Sequence, residues 1–93
     1  MENKGRYIPN NLIKYRKMLG LKQEEVASYL GLKSTNRLSR WEQGLSMPSA
    51  QNLFKLSTLY HTLIDQLYSD HVSHIKRNMS ENEELLDSSH PKK

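Results

Sequence analysis

Gly20, Gly31 and Gly44 cut the first half of this chain into pieces about a dozen residues long, which leaves room only for short elements. Each glycine follows a run whose apolar residues recur at helical spacing, and glycine most readily takes the left-handed backbone with which helices end. Before Gly20 the run is Leu12, Tyr15 and Leu19, opened by Pro9-Asn10. Before Gly31 it is Val26, Ala27 and Leu30, opened by Gln23 with Glu24 and Glu25 in the first turn, where they favour the helix dipole. Before Gly44 it is Leu38 and Trp41, with Ser34 placed to cap the helix. After the loop Leu45 to Pro48, Ser49 caps a fourth helix carrying Leu53, Leu56 and Tyr60. A fifth, short helix bears Ile64, Leu67 and Tyr68. Nothing alternates with the period of a strand. The expected fold is all-α, a compact five-helix domain.

The 93 residues make one domain, and a domain of this size buries only about 60% of the surface its unfolded chain exposes, so it needs an efficient core or a partner subunit. Residues 1–8 read as a polar N-terminal arm and 9–69 as the folded domain. Residues 70–93 read as an extension, helical through Val72 and Ile75 and flexible past Ser80, where apolar residues become scarce. The chain has no cysteine, which removes disulfides and thiolate metal sites. The polar start and the lack of an apolar run near ~20 residues predict a soluble, cytoplasmic protein with neither leader nor membrane span.

The net charge of +4 is unevenly placed: residues 1–44 carry +5 and residues 45–93 carry −1. A basic half beside a nearly neutral one fits a face for a polyanion. The segments around Gly31 supply such a face. Two short helices joined by a tight turn, at about 23–43, hold the second with its outer side polar, the arrangement that enters the major groove of duplex DNA. Leu38 and Trp41 face inward. Thr35, Asn36, Arg37, Ser39, Arg40 and Gln43 remain for the outer and flanking sides, and Arg and Asn make bidentate bonds to guanine and adenine edges.

Leu21-Lys-Gln-Glu-Glu-Val-Ala-Ser-Tyr-Leu-Gly31, Leu38-Ser-Arg-Trp-Glu-Gln-Gly44, Pro48-Ser49 and Ile64-Asp-Gln-Leu67 recur in order. With these motifs the chain resembles the Cro and phage-repressor (xenobiotic-response-element) helix-turn-helix family of bacterial transcription regulators. The resemblance spans about 9–68 and implies a lambda-repressor-like DNA-binding domain, most often a repressor. It puts base contacts at Thr35, Asn36, Arg37 and Arg40. It puts phosphate contacts at Gln23, Arg16, Lys33, Ser34, Ser39, Gln43, Gly44, Ser46 and Ser49. Val26, Ala27, Leu30, Leu38, Trp41 and Glu42 form the structural core of the motif, with Arg16 and Glu42 paired. Three departures stand out: one extra residue, placed at Lys33; His61 where the family often has glycine; and Leu63 in place of a polar cap.

So small a domain makes few base contacts, which implies a homodimer on a palindromic operator, with Ile64, Leu67, Tyr68 and Val72 as the expected dimer face. The alternative is an antitoxin or accessory factor of the same fold, with the segment from Ser80 to Asp87 ordering on a protein partner. Trp41, Tyr15 and Tyr60 read as core before they read as stacking platforms. Lys14, Lys17 and Lys22 stand beside the motif, where they either track the phosphate backbone or form a solvated face, with some backbone contact expected of the group. Lys4 and Arg6 read as a polar terminus before a DNA-reaching arm. His71 and His74 stand i, i+3 without a third ligand, so neither a metal nor a cofactor is expected. No nucleophile–base pair or phosphate loop points to an enzyme.

Overall fold

The computed structural model describes residues 7–89, with side chains described as far as residue 81. The chain is all-helical over these residues. Its elements are α1 (Leu12–Met18), α2 (Gln23–Leu30), α3 (Asn36–Glu42), α4 (Ala50–Leu59), α5 (Ile64–Leu67) and α6 (Ser69–Ser89). The five short helices stand where the apolar periods place them. Leu12, Val26, Leu38, Leu56 and Leu67 lie completely buried at the centre, joined by Leu30, Trp41, Tyr60 and Tyr68. Leu19 departs from the expected stripe. It falls after the last turn of α1 and is 45% exposed.

Three ends follow from local chemistry. Gly31 and Gly44 take positive φ (76° and 78°), closing α2 and α3. Ser49 Oγ accepts from Asn52 N (3.2 Å) to cap α4. His61, standing where glycine is usual, keeps the left-handed turn at φ 54°, a strained conformation for a residue with a Cβ. Leu63 opens α5 with no side-chain cap bond.

Two expectations need correction. Helix 5 does not run on through Val72: Tyr68, at φ −128° and ψ 42°, leaves the helical conformation, and α6 restarts at Ser69. The sixth helix then continues to Ser89, past the point where low apolar content predicts flexibility. The expected arm is corrected in part as well. Lys4 and Arg6 lie outside the described residues, as do residues 90–93, but Tyr7 to Asn11 form a strap across the domain. Ile8 N donates to Gly44 O (2.9 Å) and Asn11 N to Leu67 O (2.7 Å). Among the described residues no helix is long and apolar enough to cross a membrane.

The core carries two buried hydroxyls, on Tyr60 and Tyr68, and neither finds a hydrogen-bond partner among the described residues. Burial favours the neutral phenol and pushes the Tyr68 pKa from the ordinary 10 up to about 12. Tyr60 rises further, first through burial and then through the negative charge of Glu42, against the opposing Arg16. The folded protein therefore keeps protons that the unfolded chain releases above pH 10. The contribution of these two tyrosines is level below pH 10, and stability is expected to fall as pH rises from 10 to 12, by about 1.4 kcal/mol per unit for each tyrosine. Urea midpoints at pH 8, 10 and 11.5 measure the fall. Tyr68→Phe should reduce it and raise stability at pH 7 by about 1 kcal/mol, because an unpaired hydroxyl leaves the core.

Candidate nucleic-acid interface

The interface is built from α3 outward. One side of this helix is buried through Leu38, Trp41 and Glu42, while Asn36, Arg37, Arg40 and Gln43 are exposed and Ser39 half-exposed. At 100° per residue, Asn36, Ser39, Arg40 and Gln43 share the outer face, opposite Leu38. Gln43 Nε2 donates to Ser39 Oγ (2.7 Å), which holds two of these side chains together, while Asn36 and Arg40 are exposed.

The start of α3 keeps the cap that the sequence offers. Ser34 is placed by the sequence as the cap, and the regular helix runs Asn36–Glu42 with Thr35 between, making no side-chain cap bond of its own. Ser34 Oγ accepts from Asn36 N at 3.3 Å. The extra residue is absorbed as a bend over Lys33, Ser34 and Thr35. Thr35 therefore sits half-buried at the mouth of the helix. Arg37 turns off the outer face and lines a cleft of about 380 Å³ with Lys33, Ser34 and Gly31.

Behind α3 lies a carboxylate that ties three helices together. Glu42 Oε2 accepts from Arg16 Nε (2.6 Å) and Oε1 from Arg16 Nη2 (3.2 Å) and Gln23 Nε2 (2.8 Å). Arg16 Nη1 donates to Leu21 O (3.0 Å). The Glu42 side chain is 2% exposed and that of Arg16 13%. The hydrogen bond to Glu42 raises the Arg16 pKa against the lowering effect of burial. Arg16 is thus paired with Glu42, as the resemblance implies, with its side chain still 13% exposed. Three of its five N–H groups are committed internally. Gln23 is held at the first turn of α2, with its carbonyl oxygen and one amide N–H left over.

Gly44 is also corrected. Its N–H donates to Trp41 O (3.0 Å) and its carbonyl accepts from Ile8 N, so no backbone N–H remains for a phosphate. Its role is to let the strap approach: a Cβ there would stand 2.6 Å from Ile8 O and 2.7 Å from the Tyr7 ring. Ser46 is half-buried, and Ser49 is exposed with its Oγ occupied as a cap. Lys33 is exposed. Val26, Ala27, Leu30, Leu38, Trp41 and Glu42 are all buried as expected.

Of the expected dimer face, Leu67 (0% exposed) and Tyr68 (3%) are spent inside the monomer. Leu67 and Tyr68 belong to the core of the domain, Val72 packs against it and Ile64 is half-buried. Asn10 and Asn11 are the residues that sequence reasoning missed. Asn10 Nδ2 donates to Ile8 O and Trp41 O (both 3.1 Å), and its Oδ1 accepts from Leu12 N (3.0 Å). Asn11 Nδ2 donates to Gln66 O (2.9 Å) and Ser69 Oγ (3.0 Å). The adjacent asparagines after Pro9 signal a helix start, but nothing in that pattern reveals partners more than 30 residues away.

A comparison with curated proteins finds no match. A family model described as helix-turn-helix matches residues 12–67, from the first residue of α1 to the last of α5 and well over half the chain. With the buried anchors and polar outer face of α3, that match closes the question of family: the chain belongs to the Cro and phage-repressor helix-turn-helix family, the DNA-binding domains of XRE-like transcription regulators.

Proposed function

We propose that the protein represses transcription by binding a palindromic duplex operator as two copies, each with α3 in the major groove. The observation that carries this reading is the division of α3 itself: Leu38, Trp41 and Glu42 are buried while Asn36, Arg40 and Gln43 of the same two turns are bare. Asn36 and Arg40 read base edges, with Thr35 beside them at the helix mouth. Lys33, Ser34 and Arg37 meet the backbone around their cleft. Gln23 takes a phosphate on the other flank, where the free N–H groups opening α2 add to it. Arg16 acts through Glu42 and Gln23, holding the glutamine in place. Ser39, Gln43, Ser46 and Ser49 line the remaining backbone edge.

Selection of bound duplexes from a random pool tests this. The expected product is a two-fold symmetric site whose half-sites lie about 10–11 base pairs apart, or a multiple of that. Arg40→Ala should lose about 1–3 kcal/mol at one base pair and relax preference there. Gln23→Ala should weaken all duplexes alike and reduce the salt slope, which is about −0.9 per phosphate contacted. Undiminished preference in Arg40→Ala removes that residue from the reading set. A pool that yields no common sequence favours the accessory-factor reading instead. That reading draws on the open apolar groove of about 510 Å³ between α2 and α4, where Tyr29 and Phe54 are 69% and 62% exposed.

A further inference from the structure

We propose that the cleft between the strap and the first turns of α6 binds the phosphate group of an ester, gripped by His71, His74 and Arg77. The site shares no residue with α3 and goes beyond the operator reading. Its test stands whether or not that reading does.

Strap and helix meet across a cleft of about 470 Å³. Tyr7, Ile8 and Pro9 line it from the strap, and Asp70, His71, His74 and Arg77 line it from α6. Both walls are anchored. Ile8 N donates to Gly44 O (2.9 Å), and Asn11 Nδ2 joins the strap to the start of α6 through Ser69 Oγ (3.0 Å). Positions 70, 74 and 77 are spaced by four and three, so they share one side of the helix. His71 is half-buried beside them. Asn78 Nδ2, 3.4 Å from His74 Nε2, restrains the second ring. Two imidazoles and a guanidinium thus line one opening. Among the described residues no three His, Cys, Asp or Glu side chains are grouped to hold a metal ion, so the cluster is not built for a cation.

Charge says what it is built for. The strap wall brings Tyr7 and no charged group. On the α6 wall Asp70 and Arg77 offset each other, and histidine is the side chain that changes charge between pH 5 and 8. With both rings protonated, the walls carry two excess positive charges. The guanidinium presents a planar fork of donors that matches phosphate, and each imidazolium adds N–H donors of its own. A phosphate group answers several such donors at once, where a carboxylate has two oxygens. The cleft is also larger than a phosphate ion. What remains is walled by the Tyr7 ring, Ile8 and Pro9, which suits the organic body of an ester. Asp70 weakens the site while the rings are neutral, so binding is linked to proton uptake.

Proton NMR of the full chain reads occupancy from the histidine ring signals. His61, exposed and not part of the cleft, is the internal control. Phenyl phosphate at constant ionic strength should shift the His71 and His74 signals saturably and leave His61 in place. Arg77→Gln should weaken this binding at least about tenfold. Sulfate, whose charge is constant over the range, should bind at least about tenfold more tightly at about pH 5.5 than at about pH 8. Tyr7→Ala should remove the preference for phenyl phosphate over inorganic phosphate. The near-ultraviolet signal of Trp41, the single tryptophan, reports that each variant stays folded. Added duplex DNA separates two sources of the phosphate. Displacement of phenyl phosphate by the duplex, with a salt slope reduced by about 0.9 in Arg77→Gln, assigns it to the DNA backbone. Simultaneous binding of duplex and phenyl phosphate assigns it to a free ester. Either result sustains the site. Unmoved His71 and His74 signals, shifts matched by His61, equal affinity in Arg77→Gln, or sulfate binding that ignores pH overturns it.

Discussion

Glu42→Ala is expected to destabilise the protein by about 3–5 kcal/mol, the range for removing one partner of a buried ion pair. Both side chains are largely out of water, at 2% and 13% exposure, so solvent does little to replace the lost carboxylate. Arg16 would keep one bond, to Leu21 O, and retain a desolvated charge with no counterion beside it. Against a total of about 5–15 kcal/mol for a domain, this is a large fraction. Urea unfolding should show a fallen midpoint at constant m-value. Glu42→Gln keeps the shape and one acceptor oxygen, and should lose about 1.5–3 kcal/mol, the worth of hydrogen bonds to a charge. Arg16→Met with Glu42→Leu should recover most of the stability, because neither charge then needs a partner. The double variant also separates stability from binding. It restores the fold but leaves Gln23 unheld, so its affinity for all duplexes should stay low. A loss of only about 0–1 kcal/mol in Glu42→Ala would mean that the pair behaves as a surface one.

How much of this was legible in sequence depends on the range of each interaction. Leu38 and Trp41, three apart and followed by Gly44, announce a helix with one buried side, and the structure buries both. His61 announces its strained turn because a side chain stands where the backbone needs φ > 0. These signals are local. The strap is not: Asn10 meets Trp41 and Asn11 meets Gln66, and neither pairing leaves a trace in spacing or composition. The register at Lys33 was open for a related reason. A bend of three residues can take up an insertion at any of its positions, and only the Asn36 N–H on Ser34 Oγ shows where α3 begins. The stripe of Leu67 and Tyr68 fits a partner's cover as well as the core that buries it, because an apolar stripe looks the same whether its cover comes from the same chain or another. The long α6 escaped for the opposite reason: Lys, Glu, Met and Leu are good helix formers, so low apolar content predicts poor packing without predicting loss of helix.

Gly44→Ala tests the strap and the end of the recognition helix together. A left-handed residue with a side chain costs about 1–3 kcal/mol, and the new methyl would also overlap Ile8 O at 2.6 Å and two Tyr7 ring atoms at 2.7 and 2.9 Å. Overpacking of this kind adds about 1–3 kcal/mol, so a loss near 3 kcal/mol is expected. At about 4–8 °C per kcal/mol for a domain of this size, the melting temperature should drop by more than ~10 °C. Gly31→Ala is the control. Its φ is nearly the same, 76° against 78°, but nothing lies within 4 Å of the added carbon, so only the backbone strain applies and the loss should be about 1–2 kcal/mol. The difference between the two variants therefore measures the close approach of the strap. Tyr7→Ala in the Gly44→Ala background divides it further. Removing the ring relieves the side-chain overlap and leaves the clash with the Ile8 carbonyl, so recovery should be partial. Full recovery would show that the strap backbone can yield and that the Ile8–Gly44 hydrogen bond does not hold it. Equal losses at Gly31 and Gly44 would remove the strap from the account of why α3 ends where it does.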